Sequence, residues 1–253
     1  MRPRRSLTGA FAPLFLLLVL VTSTSRAAAT TKMPTAVPVT PPRAVGALFS
    51  LNSNGTLGKH FCTATVVDSP RGDLILTAAH CLSGRRAESL AFVPRYRNGK
   101  APLGVWTVRR IFVDSAWATS GDPDDDFAFL VVRSASARST LQALTGAEKL
   151  ASASSVGKRA TVVCYPSSAE TAIACANSLL PFSATQIRFD CDGYTNGTSG
   201  SAIVVNPDLG SGLGAAVGVI GGYQQGGNTP SVSYAATFGS DARALAHQAS
   251  QAG

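Results

Sequence analysis

Leu74-Ile75-Leu76-Thr77-Ala78-Ala79-His80-Cys81 is an apolar run of strand length that ends on an imidazole and a thiol. Eight further short apolar runs lie at residues 63–67, 105–113, 127–132, 160–165, 186–190, 202–205, 216–220 and 232–238, set among Gly, Pro, Asn, Asp and Ser. Nine such runs, with hardly a helical repeat between them, indicate an all-β sandwich or barrel. Only residues 241–251 break the pattern. There Ala242, Leu245 and Ala246 recur at helical spacing behind Ser240, a residue able to cap, so one short C-terminal helix is expected.

Upstream of the strands, Arg2, Arg4 and Arg5 precede an apolar run from Phe11 to Val21 and then Ser25-Arg26-Ala27-Ala28-Ala29. A basic start, a short apolar stretch and small residues are the parts of a secretory signal, read here as residues 1–29. The apolar run is shorter than the ~18 residues that make a spanning helix the default. A secreted, extracellular protein with no membrane association after signal removal is expected, and Arg4-Arg5 leaves the twin-arginine route open. Removing Arg2, Arg4, Arg5 and Arg26 halves the formal net charge of +8. The remaining cations are scattered and lack interleaved aromatic residues, which gives no basis for nucleic-acid binding.

Residues 30–43 carry Pro34, Pro38, Pro41 and Pro42, the composition of an extended leader, so the globular part is expected to begin near Ala44. The uncharged Ser/Ala-rich stretch 151–157 has few side chains able to anchor a core and reads as the connection between two halves, 44–150 and 151–253. Five cysteines in an exported chain imply two disulfides and one thiol left over. No cluster of His, Cys and acidic residues has metal-ligand spacing, so neither a metal nor an organic cofactor is expected.

Three stretches carry the chemistry: Thr77-Ala78-Ala79-His80-Cys81, Asp124-Asp125-Asp126-Phe127-Ala128-Phe129-Leu130, and Gly197-Thr198-Ser199-Gly200-Ser201. A serine hydroxyl is a poor nucleophile near neutral pH unless an imidazole takes its proton. That imidazole works best when a buried carboxylate fixes its tautomer. His80 is the candidate base and Ser199 the candidate nucleophile. Asp126 is the candidate orienting acid because it abuts the apolar run 127–132, with Asp125 the substitute. His60 and His247 are read as structural or solvated. The order His, Asp, Ser excludes an α/β-hydrolase, in which the serine comes first, and a subtilisin, in which the acid does. Gly197 lacks a Cβ, which would let its N–H and that of Ser199 converge on a developing oxyanion.

The histidine and serine stretches, together with Asp126 leading into an apolar strand, resemble the signatures of the chymotrypsin-like serine peptidases, closest to their secreted bacterial members. The resemblance runs roughly from Val45 to the C-terminal helix. It implies two antiparallel six-stranded β-barrels packed across a cleft, the first in 44–150 with His80 and Asp126 and the second in 151–253 with Ser199 and the terminal helix. It also implies hydrolysis of polypeptide substrates through an acyl-enzyme, by a chain expected to be a monomer.

By the same resemblance Cys62 pairs with Cys81. Cys175 would then pair with Cys191 and leave Cys164 free, with Cys164–Cys175 the alternative. The substrate pocket would be walled by 192–196, by 218–223 and by the loop 224–228, with Asp192, Thr195, Asn196, Gly221, Gly222 and Tyr223 as candidate contacts. Gly221 and Gly222 would leave an open edge for substrate backbone. Asp190 or Asp192 could form a negative pocket floor, which makes trypsin-like cleavage one option. Many relatives carry Asp where this chain has Thr198, and that Asp captures a new N-terminus during activation. Arg43-Ala44-Val45-Gly46 looks like an activation junction, yet the ion pair it would need has lost its acceptor, so Ser199 is expected to be competent without a cut there. Asn54 and Asn196 head glycosylation sequons, and a glycan at Asn196 would obstruct the cleft. Two rival readings remain: a catalytically inactive relative that binds or adheres, and an esterase using the same three residues.

Overall fold

Residues 127–132 are apolar throughout because both of their faces are covered. Ala128, Leu130 and Val132 enter one core with Leu48, Ile75, Phe92 and Trp106. Phe127, Phe129 and Val131 enter another with Val204, Val219 and Phe238. Side chains alternate across a strand, so an unbroken apolar run is what a strand held between two layers requires. The computed structural model describes residues 32–151 and 155–252. The signal read at 1–29 lies outside these residues, as does part of the connection, 152–154.

After a two-residue strand β1 (Val37–Pro38), six strands close into an antiparallel barrel in the order β2-β3-β4-β7-β6-β5. They are β2 (Val45–Leu51), β3 (Leu57–Val66), β4 (Leu74–Thr77), β5 (Leu90–Pro94), β6 (Trp106–Val113) and β7 (Ala128–Arg133). A second sheet follows, made of β8 (Lys149–Leu150), β9 (Arg159–Cys164), β10 (Ile173–Ser178), β11 (Leu180–Pro181), β12 (Gln186–Asp190), β13 (Ala202–Val205), β14 (Ala215–Ile220) and β15 (Val232–Thr237), and β1 pairs onto its edge. Its six main strands run β10-β9-β13-β14-β15-β12 and form a half-barrel, with no ladder joining β10 to β12. The Cys175–Cys191 disulfide spans that seam, and Asn177 Nδ2 donates to the Asp190 carbonyl across it at 2.6 Å. A covalent staple and a side-chain bond stand where a second closed barrel would have a ladder.

The shared core holds the two sheets together. β4 supplies Leu74 and Leu76 to it, and β13 supplies Ala202 and Val204. The C-terminal helix Ser240–Gln251 lays Ala242, Leu245, Ala246 and Ala249 on the same core. Ser240 is the first helical residue rather than the cap; Gly239 holds that place. Two short helices, Ser115–Ser120 and Leu141–Thr145, went unread in the sequence because five or six residues are too few to show a helical period. Their caps are legible in retrospect: Asp114 accepts from Ala116 N–H at 2.7 Å, and Thr140 accepts from Ala143 N–H at 3.3 Å.

Part of the Pro-rich segment belongs to the second sheet. Val37 pairs with Ala174, Asp192 N–H donates to the Pro34 carbonyl at 2.9 Å, and Ala36 N–H donates to the Asp192 carbonyl at 2.8 Å. The segment is extended, as its prolines require, and its free carbonyls and remaining N–H groups are taken up along a sheet edge.

Candidate functional site

β4 ends three residues before His80, and β13 begins three residues after Ser199. The two strands that share the inter-sheet core therefore deliver both residues to one seam. His80 opens a one-turn 3-10 helix, His80–Leu82, and Cys81 in that turn is bonded to Cys62 of β3. Behind the imidazole lies Asp126, whose side chain is fully buried. Its Oδ2 is 2.7 Å from His80 Nδ1 and accepts from Gly222 N–H at 2.8 Å, while its Oδ1 accepts from His80 N–H at 2.8 Å. Three bonds satisfy a carboxylate that burial would otherwise make costly. They also orient His80 so that its other nitrogen faces away from the acid.

Asp125 is not an equivalent substitute. Partial burial, then Asp114, Asp122, Asp241 and Asp124, push its carboxyl up to about 6, and the bonds to His80 come from Asp126.

The Ser199 turn is pinned to the barrel. Thr63 N–H donates to the Ser199 carbonyl at 2.9 Å, and Thr63 Oγ1 donates to the Gly197 carbonyl at 3.0 Å. Gly200 (φ +82°) permits this approach, since a Cβ there would collide with Thr77 Oγ1 and the Thr63 carbonyl. Gly197 (φ +95°) is held as tightly on its other side, where a Cβ would sit 2.7 Å from the Tyr165 carbonyl. Among the described residues, neither the Gly197 nor the Ser199 N–H donates to a protein acceptor. Thr198 supports the turn from within: its Oγ1 donates to the Thr195 carbonyl at 2.8 Å, and its own carbonyl accepts from Ser201 Oγ at 2.7 Å.

His80, Gly197, Thr198 and Ser199 line one open cleft of about 870 Å³. Its barrel side is made by Phe61, the Cys62–Cys81 disulfide, Ser83 and Arg85. Its other side is made by Ser167, Ser168, Tyr194–Asn196, Ile220, the loop 224–230 and Ser233. Thr195, Asn196 and the loop 224–228, named from the sequence, are thus among the residues that line the cleft. Asp192, Gly221, Gly222 and Tyr223 are not among the residues that line it. Gly221 and Gly222 lie under Asp126, and the Gly221 N–H is taken by the Tyr234 carbonyl at 3.2 Å. Tyr223 stands outside, packed with Phe182 and Tyr234. Asp192 spends its backbone on the N-terminal segment.

Asp190 forms a bidentate pair with Arg188 at 2.6 and 2.7 Å, and no carboxylate lines the cleft among the described residues. Arg85, Phe61 and the pair Ser167 and Ser168 were missed in the sequence. For Arg85 a signal was present, its position four residues after Cys81 on the turn that carries His80.

Cys62, His80 and Cys81 place two sulfurs and a ring nitrogen close together, but both sulfurs are in the disulfide and have no thiolate to offer a metal. His60 is buried among Phe49, Tyr96 and Tyr165, and His247 is exposed on the terminal helix, which leaves His80 as the histidine of the cleft.

A closed barrel, a half-barrel and a seam carrying an acid–imidazole pair beside a pinned serine turn define the chymotrypsin-like peptidase fold. The family model for the trypsin-like peptidase domain matches residues 62–218. The chain belongs to the trypsin-like peptidase family. It is similar in structure to the protease Anisep from Arthrobacter nicotinovorans, with TM-score 0.72 and 24% identity over 86% of this chain and 100% of that one. It is similar also to a thermostable serine protease, AL20, from an extremophilic microorganism, with TM-score 0.69 and 26% identity over 84% and 99%. A Glu endopeptidase has the same fold, with TM-score 0.63 and 16% identity over 86% and 97%. Comparison with the curated proteins gives no significant match.

Proposed function

We propose that this chain is a secreted serine endopeptidase in which Ser199 attacks, His80 transfers protons and Asp126 orients the imidazole. One observation carries the reading: the buried Asp126 carboxylate meets His80 Nδ1 at 2.7 Å, while His80 and Ser199 line the same cleft. In the first half-reaction Ser199 Oγ adds to the peptide carbonyl carbon and its proton passes to His80 Nε2. The carbonyl oxygen becomes an oxyanion received by the free N–H groups of Gly197 and Ser199. Collapse breaks the C–N bond, the imidazolium gives its proton to the departing amine, and an ester on Ser199 remains. Water then adds by the same route in reverse, releasing the carboxylic acid and the free serine.

Asp126 fixes which ring nitrogen is free. Two disulfides in one chain fit an oxidising, extracellular setting. A fluorophosphonate probe should label the wild-type protein and leave Ser199→Ala unlabelled; equal labelling of both would remove Ser199 from the reaction. Paired amide and ester substrates sharing one acyl group then separate a peptidase from an esterase.

A further inference from the structure

Among the described residues, Arg85 is the one lysine or arginine lining the cleft, and no Asp or Glu lines it. Its guanidinium lies over the Phe61 ring, 3.8 Å from the centroid. The stack is rooted in rigid covalent structure. Phe61 precedes Cys62, Arg85 follows Cys81 by four residues, and the Cys62–Cys81 disulfide joins the two roots. The Arg85 N–H donates to the carbonyl of buried Leu82 at 2.9 Å, which holds the turn beneath the side chain.

Arg86, its neighbour, is paired with Glu88. Arg85 has no ion-pair partner among the described residues. A guanidinium held over an aromatic ring can still offer N–H donors to a carboxylate.

We infer that Arg85 and Phe61 form a subsite for an acidic side chain of the substrate, on the segment that leaves with the amine. The inference rests on the reading of His80 and Ser199 given above. The scissile carbonyl must point at the Gly197 and Ser199 N–H groups, so the acyl part is held by the walls next to them, Thr195–Asn196 and the loop 224–230. The departing nitrogen must come within reach of the His80 proton, and the residues flanking His80 on the barrel side are the disulfide, Phe61 and Arg85. The leaving segment therefore runs along these residues. Its carboxylate would meet the unpaired cation there, with no competing acid in the cleft. A carboxylate on the acyl side would find no cation.

The test uses peptides identical except for Glu, Gln or Lys at each of the first three positions after the scissile bond, with matched substitutions before it. At low salt the wild-type protein should prefer Glu over Gln by roughly two- to fivefold in kcat/KM at one position after the bond, as suits a partly exposed ion pair. The preference should shrink in 0.5 M salt, vanish in Arg85→Ala and turn toward Lys in Arg85→Glu. Arg86→Ala, outside the cleft, should keep it. No preference in the wild type, its survival in Arg85→Ala, or its appearance only before the bond would overturn the inference.

Should no peptide be cut and no fluorophosphonate bind, the failure belongs to the endopeptidase reading. The subsite is then judged by fluorescence anisotropy of the same labelled Glu and Gln peptides on Ser199→Ala, with and without Arg85→Ala. Equal binding of the two peptides would end it.

Discussion

Gly222, in the turn after β14, donates its N–H to Oδ2 of Asp126 at 2.8 Å, the oxygen that also lies 2.7 Å from His80 Nδ1. The acid from the first sheet is thereby gripped by backbone of the second. Gly221 passes just beneath it, where a Cβ would fall 2.8 Å from the Asp126 carbonyl and 2.9 Å from Oδ2. Gly221→Ala should displace the carboxylate and lower kcat with little change in KM, because the cleft walls at 195–196 and 224–230 are untouched. Asp126→Asn should cost about 10⁴ in kcat, since an amide N–H presents the wrong partner to Nδ1 and favours the other tautomer. Steady-state kinetics on one peptide checks both. A kcat within twofold of wild type in Asp126→Asn would exclude Asp126 as the orienting acid.

Glu148 is 1% exposed, and its Oε2 accepts one bond, from Gly214 N–H at 2.6 Å. Burial pushes its carboxyl up to about 7 against an ordinary 4.5, with the Gly214 bond opposing. Between those values the folded state holds a proton that the unfolded chain has released, so this group's contribution falls as pH rises from about 4.5 and levels off above about 7. Glu148→Gln keeps an acceptor for Gly214 without the charge. It should stabilise the fold at pH 8 by on the order of 2–3 kcal/mol and change little at pH 4. Urea unfolding at the two pH values reads the difference, and a gain of equal size at both would show that the carboxyl's ionisation is not its cause.

The all-β class was legible because β4, β7 and β13 are buried on both faces and so read as continuous apolar runs. β2 and β5 were not read, since Gly46 and Ser50 interrupt one and Pro94 ends the other. The interruption has a cause: a Cβ at Gly46 would strike the Phe92 ring of β5. β10 was missed because Ile173-Ala-Cys-Ala-Asn-Ser178 is built mostly of small residues and ends on two polar ones, as suits a strand at an open seam. The acid, the imidazole and the serine turn could be found from local sequence, since each sits in a distinctive stretch. The pocket walls could be found only in part: Thr195, Asn196 and the loop 224–228 line the cleft, while Asp192 and 221–223 do not. Whether Gly221 faces substrate or Asp126, and whether Asp190 is free or spent on Arg188, depends on contacts between residues tens of positions apart.

The Cys175–Cys191 bond ties the two unladdered strands of the half-barrel, and Cys164 stays buried beside them. Burial raises the Cys164 thiol far above its ordinary range, which keeps it protonated and unreactive. A thiol reagent should therefore find no reactive group in the native protein and one per chain in denaturant without reductant. Replacing Cys175 and Cys191 together by Ala should cost ~3 kcal/mol, the closure entropy of a loop of this length. Guanidinium unfolding measures it. An undiminished midpoint would mean that hydrogen bonding already holds the seam.

Arg43 is exposed at the approach to β2, between a segment paired to the second sheet and Ala44, which is 0% exposed. The Ala44 carbonyl accepts from Val66 N–H at 2.9 Å, and Val45 pairs with Thr65. A cut after Arg43 would place a new ammonium at this buried position. The residue before the serine, Thr198, has no charge to receive it, and its hydroxyl is already bonded to Thr195. An unpaired buried ammonium costs several kcal/mol, so cleavage here would disturb the start of β2 rather than assemble the oxyanion site. With residues 34–43 in place, Gly197 already holds φ +95° and its N–H is free. Arg43→Gln should therefore react with a fluorophosphonate as fast as the wild-type chain, with mass spectrometry showing the 43–44 bond intact in the labelled protein. A variant that stays unlabelled until another protease trims its N-terminal segment would establish activation by cleavage and refute this account of Thr198.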